Sequence, residues 1–300
     1  MLTQSDVFLR LAQRDVSGRA PVPDVDRGKR MLRKLLASDG LSVVHQPIVD
    51  LRTAEVFGYE VLGRAPGLAT SGDPPLGPSE LLDLAFDAGL LFDLDHAWRR
   101  LAVEYIARHH AADDTVFFLN VDTRIVDDPR FAPGFTRGLL DRHRLSPERF
   151  VLELTERDSQ LAEPRTERLL PHYTAQGFRL ALDDVGAGYA SLSALVRLRP
   201  QLLKLDKTLV TGMARDPVRE SLARALVEFA RRSGMQVIAE GVEELADLAA
   251  LLRAGVSLAQ GWLFGRPSMW ATPLRADVRD LIRLSAREAS PSRHEPAALT

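Results

Sequence analysis

The sequence predicts a (β/α)8 barrel whose first strand runs antiparallel to the other seven. Three observations carry that prediction. Eight short apolar runs recur along the chain, helical periodicity fills most of the gaps between them, and the first two runs are joined by too few residues for a helix. A link that short is compatible only with an antiparallel pair.

Taken in order, residues 4–14 read as a short amphipathic helix, with Phe8, Leu11 and Ala12 on one side. Residues 17–28, with two prolines, two glycines and several charges, read as a linker. Met31, Leu32, Leu35 and Leu36 then give a helical face. The strand segments are 41–49, 56–62, 115–121, 150–154, 179–182, 202–205, 236–239 and 258–260, with 50–55 as the short turn between the first two. Residues 65–78, rich in Gly and Pro, form a loop long enough to border a site rather than merely connect. A helix is expected from Asp216-Pro217, an N-cap with proline at the first helical position, to Gly234 as its stop. Another is expected over 242–254, stopped by Gly255, and a last one after Pro273 to about residue 287. The chain thus divides into an N-terminal helical segment and linker (1–40), the barrel (41–287) and a polar tail (288–300) expected to be disordered.

Composition narrows the function. Three hundred residues, 45% of them hydrophobic, are enough for one large barrel. A formal charge of −2 leaves no broad basic footprint, so neither DNA nor RNA is an expected partner. With no cysteine, disulfides, thiol nucleophiles and thiolate metal sites are excluded. No apolar run is long enough to span a membrane and no apolar leader opens the chain, so the cytoplasm is the default compartment.

A barrel of this kind carries its chemistry at the C-terminal ends of its strands. The stretch Arg179 to Leu192 sets the pattern: a buried strand, then the adjacent carboxylates Asp183 and Asp184, then a Gly-Ala-Gly turn. Adjacent side chains of a strand point to opposite faces, so one Asp is expected to face the barrel axis and the other a loop. A solvated Asp-Gly turn would account for this pair alone, but the other strands repeat the pattern. Glu60 lies on the second, Asn120 ends the third, Glu153 is on the fourth with Glu156 just beyond, Lys204 is on the sixth, Glu240 ends the seventh and Gln260 the eighth. Apolar strand residues flank each polar group, as expected for a buried mouth. So many carboxylates would repel one another without cations between them. An all-oxygen donor set without His or Cys suits Mg2+ or Mn2+. Lysine occurs only at Lys29, Lys34, Lys204 and Lys207 in an arginine-rich chain, which singles out Lys204. The fragment Gly186-Ala187-Gly188 lacks the context of a dinucleotide fingerprint.

These residues stand in recognisable motifs: QPI at Gln46, YEVLGR at Tyr59–Arg64, ELTE at Glu153–Glu156, DDVGAGY at Asp183–Tyr189, KLD at Lys204–Asp206, AEGVE at Ala239–Glu243 and QGWLFGRP at Gln260–Pro267. Together they resemble the EAL-domain family of bacterial cyclic di-GMP phosphodiesterases, TIM-like barrels, with Val61 where the family's name motif has alanine. The resemblance implies hydrolysis of cyclic di-GMP to linear pGpG with two divalent ions, Mg2+ or Mn2+. It implies Glu60, Asn120, Glu153 and Asp183 as ligands of one ion. Asp183 would bridge to the second, with Asp184, Asp206 and Glu240 nearby. Lys204 is similar to the lysine that orients or deprotonates the attacking water, a task whose ammonium pKa can fall when it is buried beside cations; a structural ion pair is the alternative role. Gln46, Arg64 and Gln260 resemble substrate contacts. Glu156 resembles the residue that holds the loop after Asp184, and Glu243 one that supports the residues around the substrate. A homodimer is a further family expectation. The rival reading is a non-catalytic receptor that binds cyclic di-GMP and signals to a protein partner, but such members lack a ligand or the lysine, and here none is missing. Trp98, Trp262 and Trp270 read as core or interface residues, with Trp262, close to Gln260, the one able to sit near a guanine.

Overall fold

A computed structural model describes residues 25–38, 40–66, 76–155, 164–186, 192–269 and 273–289. The helix expected over 4–14, the tail after 289, Glu156, Gly188 and Trp270 lie outside them. The chain falls into two compact units, residues 1–42 with 63–98, and 43–62 with 99–300.

In the first unit, helix α1 (Val25–Leu36) packs on α2 (Pro78–Asp87). The expected linker therefore ends four residues early, and Gly28 lies inside α1. A Cβ there would come within 2.5 Å of Leu84 Cδ1, so a larger residue would make the Leu84 side chain shift. Pro78 opens α2 at its first position, and the Glu80 carboxylate accepts from the Gly77 backbone N–H at 2.8 Å. Leu81, Leu84 and Ala85 form its buried face. Helix α3 (Leu91–His109) begins in this unit and continues into the second.

The second unit is the barrel. All eight expected strands are present: β1 (Ser42–Asp50), β2 (Glu55–Arg64), β3 (Val116–Val121), β4 (Phe150–Thr155), β5 (Arg179–Val185), β6 (Leu202–Leu205), β7 (Gln236–Ala239) and β8 (Leu258–Gln260). They close in sequence order. Neighbours from β2 to β8 pair in parallel, whereas β1 pairs antiparallel with β8 through Ile48↔Gln260 and Asp50↔Leu258. The short turn after Asp50 reverses the chain as its length required, with Ala54 at φ +60°.

Between the strands lie α4 (Phe135–His143), α5 (Pro164–Ala175), α6 (Leu192–Leu198), the single turn α7 (Lys207–Val210), α8 (Pro217–Arg232) and α9 (Leu245–Ala254); α10 (Ala276–Ala289) follows β8. Asp216 caps α8 as the sequence indicated, accepting from the Val218 and Arg219 N–H groups. Gly255 ends α9 in the left-handed region, φ +83°. That helix starts three residues later than expected, because Val242 is drawn into a backbone ladder. Its N–H donates to Gln260 O at 3.1 Å and its carbonyl accepts from Leu263 N at 3.0 Å.

The barrel is plugged by Ile48, Val116, Phe118, Val151, Ala181, Leu202, Ile238 and Leu258, which form one buried apolar cluster. Because strand side chains alternate faces, the residue two positions beyond each plug residue also faces inward, one level nearer the C-terminal mouth.

Candidate active site

That two-residue step places the site. Beyond Phe118, Val151, Ala181, Leu202, Ile238 and Leu258 come Asn120, Glu153, Asp183, Lys204, Glu240 and Gln260. On the antiparallel β1 the step runs backwards, so Gln46, two residues before Ile48, joins the same layer. An apolar plug thus carries a polar layer supplied by nearly every strand.

Lys204 sits at the centre of that layer and is fully buried. Its Nζ is 2.7 Å from Glu153 Oε1, 2.7 Å from Glu240 Oε1, 3.4 Å from Asp183 Oδ1 and 3.8 Å from Glu60 Oε2. Burial disfavours the ammonium, but Asp183, Glu153, Glu240 and Glu60 outweigh it and hold its pKa well above the usual lysine value. The ring of carboxylates thus holds the lysine charged. The carboxylates divide. Burial raises Glu153 well above the ordinary range, against the pull of Lys204. Glu240 is pushed up to about 8, by burial first and by Asp183 and Glu60 after it. Burial acts on Glu60 in the same direction, yet Lys204 and the amides of Gln260 and Asn120 hold it below its ordinary value.

The amides fix Glu60 from two sides. Asn120 Nδ2 donates to Oε1 at 3.1 Å and Gln260 Nε2 to Oε2 at 2.6 Å. Gln260 also donates to Gln46 Oε1 at 3.1 Å, and Gln46 Nε2 donates to Gly265 O at 3.2 Å. The expected residues Gln46, Glu60, Asn120, Glu153, Asp183, Lys204, Glu240 and Gln260 are therefore joined in one connected group.

Asp184 departs from the strand alternation expected of it, though not from the place beside Asp183 and Glu240 that the resemblance implied. The β5–β6 register slips between Leu182 and Val185, a bulge that gives β5 one extra residue. Asp184 takes φ +58°, a left-handed conformation that Asp tolerates better than most residues. The bulge breaks the alternation, so Asp184 is not turned away: Asp183, Asp184 and Glu240 each bring a carboxylate oxygen within 4.8 Å of the others. An Asp-Asp pair with glycine two residues on, at Gly186, was the available signal, since Asp and Gly both visit that backbone region.

The other expected residues make contacts of their own. Asp206 is buried, and its Oδ1 accepts from Thr208 N at 2.8 Å, capping α7. Glu243 is exposed in the extended stretch before α9. Arg64 ends β2 in the first unit, where its guanidinium donates to Gly63 O at 2.9 Å and its carbonyl accepts from the Trp98 indole at 3.4 Å. Trp262 is 52% exposed, with the Arg266 guanidinium 4.0 Å above its ring.

The donors suit a hard divalent cation. Every candidate ligand atom is oxygen, and three carboxylates converge at Asp183, Asp184 and Glu240. Glu153 has both oxygens buried, and among the described residues the cation beside them is the Lys204 ammonium, 2.7 Å from Oε1. A buried carboxylate so placed is costly unless cationic charge is shared with it.

The EAL domain family profile matches residues 29–267. The probable cyclic di-GMP phosphodiesterase PdeB of Escherichia coli K12 is 29% identical over 239 residues, 78% of this chain and 44% of that protein. Klebsiella pneumoniae BlrP1, solved as a manganese and cyclic-di-GMP complex, is 26% identical with a TM-score of 0.69 over 78% of this chain and 57% of its own. A standalone EAL protein from Vibrio cholerae O395, solved with cyclic di-GMP bound, is 26% identical with a TM-score of 0.65 over 79% of this chain and 97% of its own. The chain spans less than half the length of the curated relatives it matches. With the profile covering most of its length and the ordered motifs converging on one barrel mouth, the chain belongs to the EAL domain family.

Proposed function

We propose that this chain hydrolyses cyclic di-GMP to linear pGpG with two divalent ions, Mg2+ or Mn2+. The observation that carries the proposal is a buried lysine ringed by four carboxylates at a barrel mouth, beside a three-carboxylate cluster that includes the bulged Asp184. Glu60, Asn120, Glu153, Asp183, Asp184, Glu240 and Asp206 are the residues that would hold the ions. Bound there, such ions supply Lewis-acid polarisation of the phosphodiester and a lowered pKa for the attacking water.

The chain's own residues do the rest. Asn120 and Gln260 fix both oxygens of Glu60, so that carboxylate needs no reorientation during the reaction. The Lys204 ammonium compensates the carboxylate ring and presents N–H donors that orient the attacking water. Gln46 and Gln260, bonded to each other, lie beside this centre to receive the substrate, with Arg64 as the expected phosphate contact because its planar fork donates two hydrogen bonds at once. Glu156 and Glu243 are assigned the supporting roles implied by the family motifs. The receptor reading is disfavoured because every ligand position and the lysine are filled by residues able to act.

Incubation of the purified chain with cyclic di-GMP and Mn2+ or Mg2+, followed by chromatography, should give pGpG, and Glu60→Ala should abolish it. Tight binding with no product under either ion, at neutral and alkaline pH, would replace this reading with the receptor. The proposal extends to a cytoplasmic homodimer, checked by light scattering. Among the described residues no helix is long and apolar enough to cross a membrane. The exposed apolar residues Val218, Leu222 and Phe229 on α8 offer surface for a second copy.

A further inference from the structure

The segments that follow β6 and β7 open with Asp206 and Glu240, and three contacts lock one segment to the other. The first is at the strand ends, where Glu240 N donates to Leu205 O at 3.0 Å. The second is steric. Gly241, at φ +65°, lies so close to α7 that a Cβ there would come within 2.4 Å of Lys207 Cβ. The third is Asp247, in the first turn of α9 and only 3% exposed. Its Oδ2 accepts from Gly212 N and its Oδ1 from Ala214 N, each at 2.9 Å.

A buried carboxylate that accepts backbone N–H bonds is an ordinary structural device and by itself means little. Two features set this one apart. A carboxylate at the third position of a helix ordinarily serves the start of its own helix. Asp247 turns both oxygens to another segment instead, and Glu244, at the N-cap of the same helix, accepts from Arg215 Nη2 at 2.8 Å. The segment they hold is also the one that places Asp206. Asp206 caps the start of α7, a single turn, and Gly212 follows directly after the Thr211 that ends it. Gly212 takes φ +76° and opens the short 3-10 turn Met213–Arg215. The α7 turn is thus fixed at one end by Asp206 and at the other by Asp247.

We infer that Asp247 is a positioning residue. By clamping the α7 turn to α9 it sets the spacing of Asp206 and Glu240, and with it the fit of the ion they would share. Residues that hold a metal ligand in place govern affinity although they never touch the metal. The inference rests on the proposed reading of the barrel mouth as a divalent-ion site.

The test uses the full chain with Asp247→Ala, Asp247→Asn and, as a control, Asp216→Ala. The control removes two backbone hydrogen bonds of the same kind, at the start of α8 in the same segment. Mn2+ is titrated calorimetrically well below each melting temperature, with folding checked by circular dichroism. Asp247→Ala should weaken Mn2+ binding about tenfold, and the Mn2+ concentration giving half-maximal turnover of cyclic di-GMP should rise by a similar factor. Asp247→Asn, which keeps one accepting oxygen, should fall between Asp247→Ala and the wild type, and it decides the matter if Asp247→Ala does not fold. Asp216→Ala should bind Mn2+ as the wild type does. Wild-type Mn2+ affinity in the folded Asp247 variants, or the same loss in Asp216→Ala, would refute the clamp and leave the proposed function standing. A wild-type chain that neither binds Mn2+ nor cleaves cyclic di-GMP refutes both.

Discussion

Replacing Lys204 with methionine removes the one ammonium among four carboxylates while nearly preserving side-chain volume. The group lost is 1% exposed, and two of its partners are at 2.7 Å, including Glu153, which is wholly buried. Removing one partner of a buried ion pair leaves uncompensated charge and costs about 3–5 kcal/mol. Part of that cost is relieved if the carboxylates take up protons, and two of them, Glu153 and Glu240, are already raised towards doing so. In EDTA the variant should therefore melt roughly 6–20 °C below the wild type, at about 2–4 °C per kcal/mol for a chain of this class. The deficit should shrink when Mn2+ is added, because a cation bound among the same oxygens replaces the missing charge. Turnover of cyclic di-GMP should fall by about 100-fold or more, the usual scale for losing a positioned proton-handling group. Differential scanning fluorimetry with and without Mn2+, run beside the hydrolysis assay, reads both effects. A variant with the wild-type melting temperature in EDTA and turnover within threefold would refute the reasoning.

Three further outcomes are expected. Asp184→Asn should not lower the melting temperature, since Asn also tolerates the left-handed backbone at φ +58° and removes a like charge, but should weaken Mn2+ binding in a calorimetric titration; Asp184→Ala should lose about 1 kcal/mol of stability relative to Asp184→Asn. His45 is buried, and burial first, with the charges of His110 and His109, lowers its pKa to about 4 against a backbone hydrogen bond to Ser268. Its folded pKa lies below its unfolded value, so the folded state binds fewer protons between about pH 6.5 and 4, and stability falls as pH drops through that window. A melting-temperature profile against pH should be flatter there for His45→Phe than for the wild type. Asp216→Ala removes the two hydrogen bonds that cap α8 and should cost about 1 kcal/mol in urea unfolding while cyclic di-GMP turnover is retained.

The legibility of this molecule follows from the period of a strand. The plug and the polar layer are two residues apart on one strand after another, so an apolar run ending in an acid, an amide or the lone lysine already encodes an inward-facing group above a core. The same arithmetic covers Gln46, once the short turn after Asp50 has set the first strand antiparallel. Three features escaped because they depend on distances between strands rather than positions along them. The bulge at Asp183-Asp184 is a slip of β5 against β6 and leaves the residue types unchanged. The late start of α9 reflects the ladder that Val242 makes with Gln260 and Leu263, a partner the local pattern cannot name. And the state of Lys204 is set by four carboxylates, three on other strands and one just past β7, each within 4 Å.

The bulge also explains how three carboxylates can meet without another strand. A regular β5 would send Asp184 to the outer face, leaving Asp183 and Glu240 as a pair. One extra residue turns the backbone at Asp184 into the left-handed region and returns its carboxylate to the mouth, at the cost of a strained φ that glycine would relieve. Asp184→Gly therefore separates the two demands on this position. It should raise the melting temperature in EDTA, by easing the backbone and removing a like charge, and lower the affinity for Mn2+. Strain kept at a position where another residue would relax it is the mark of a side chain retained for its carboxylate, and a glycine variant that bound Mn2+ as tightly as the wild type would show that the bulge serves the fold alone.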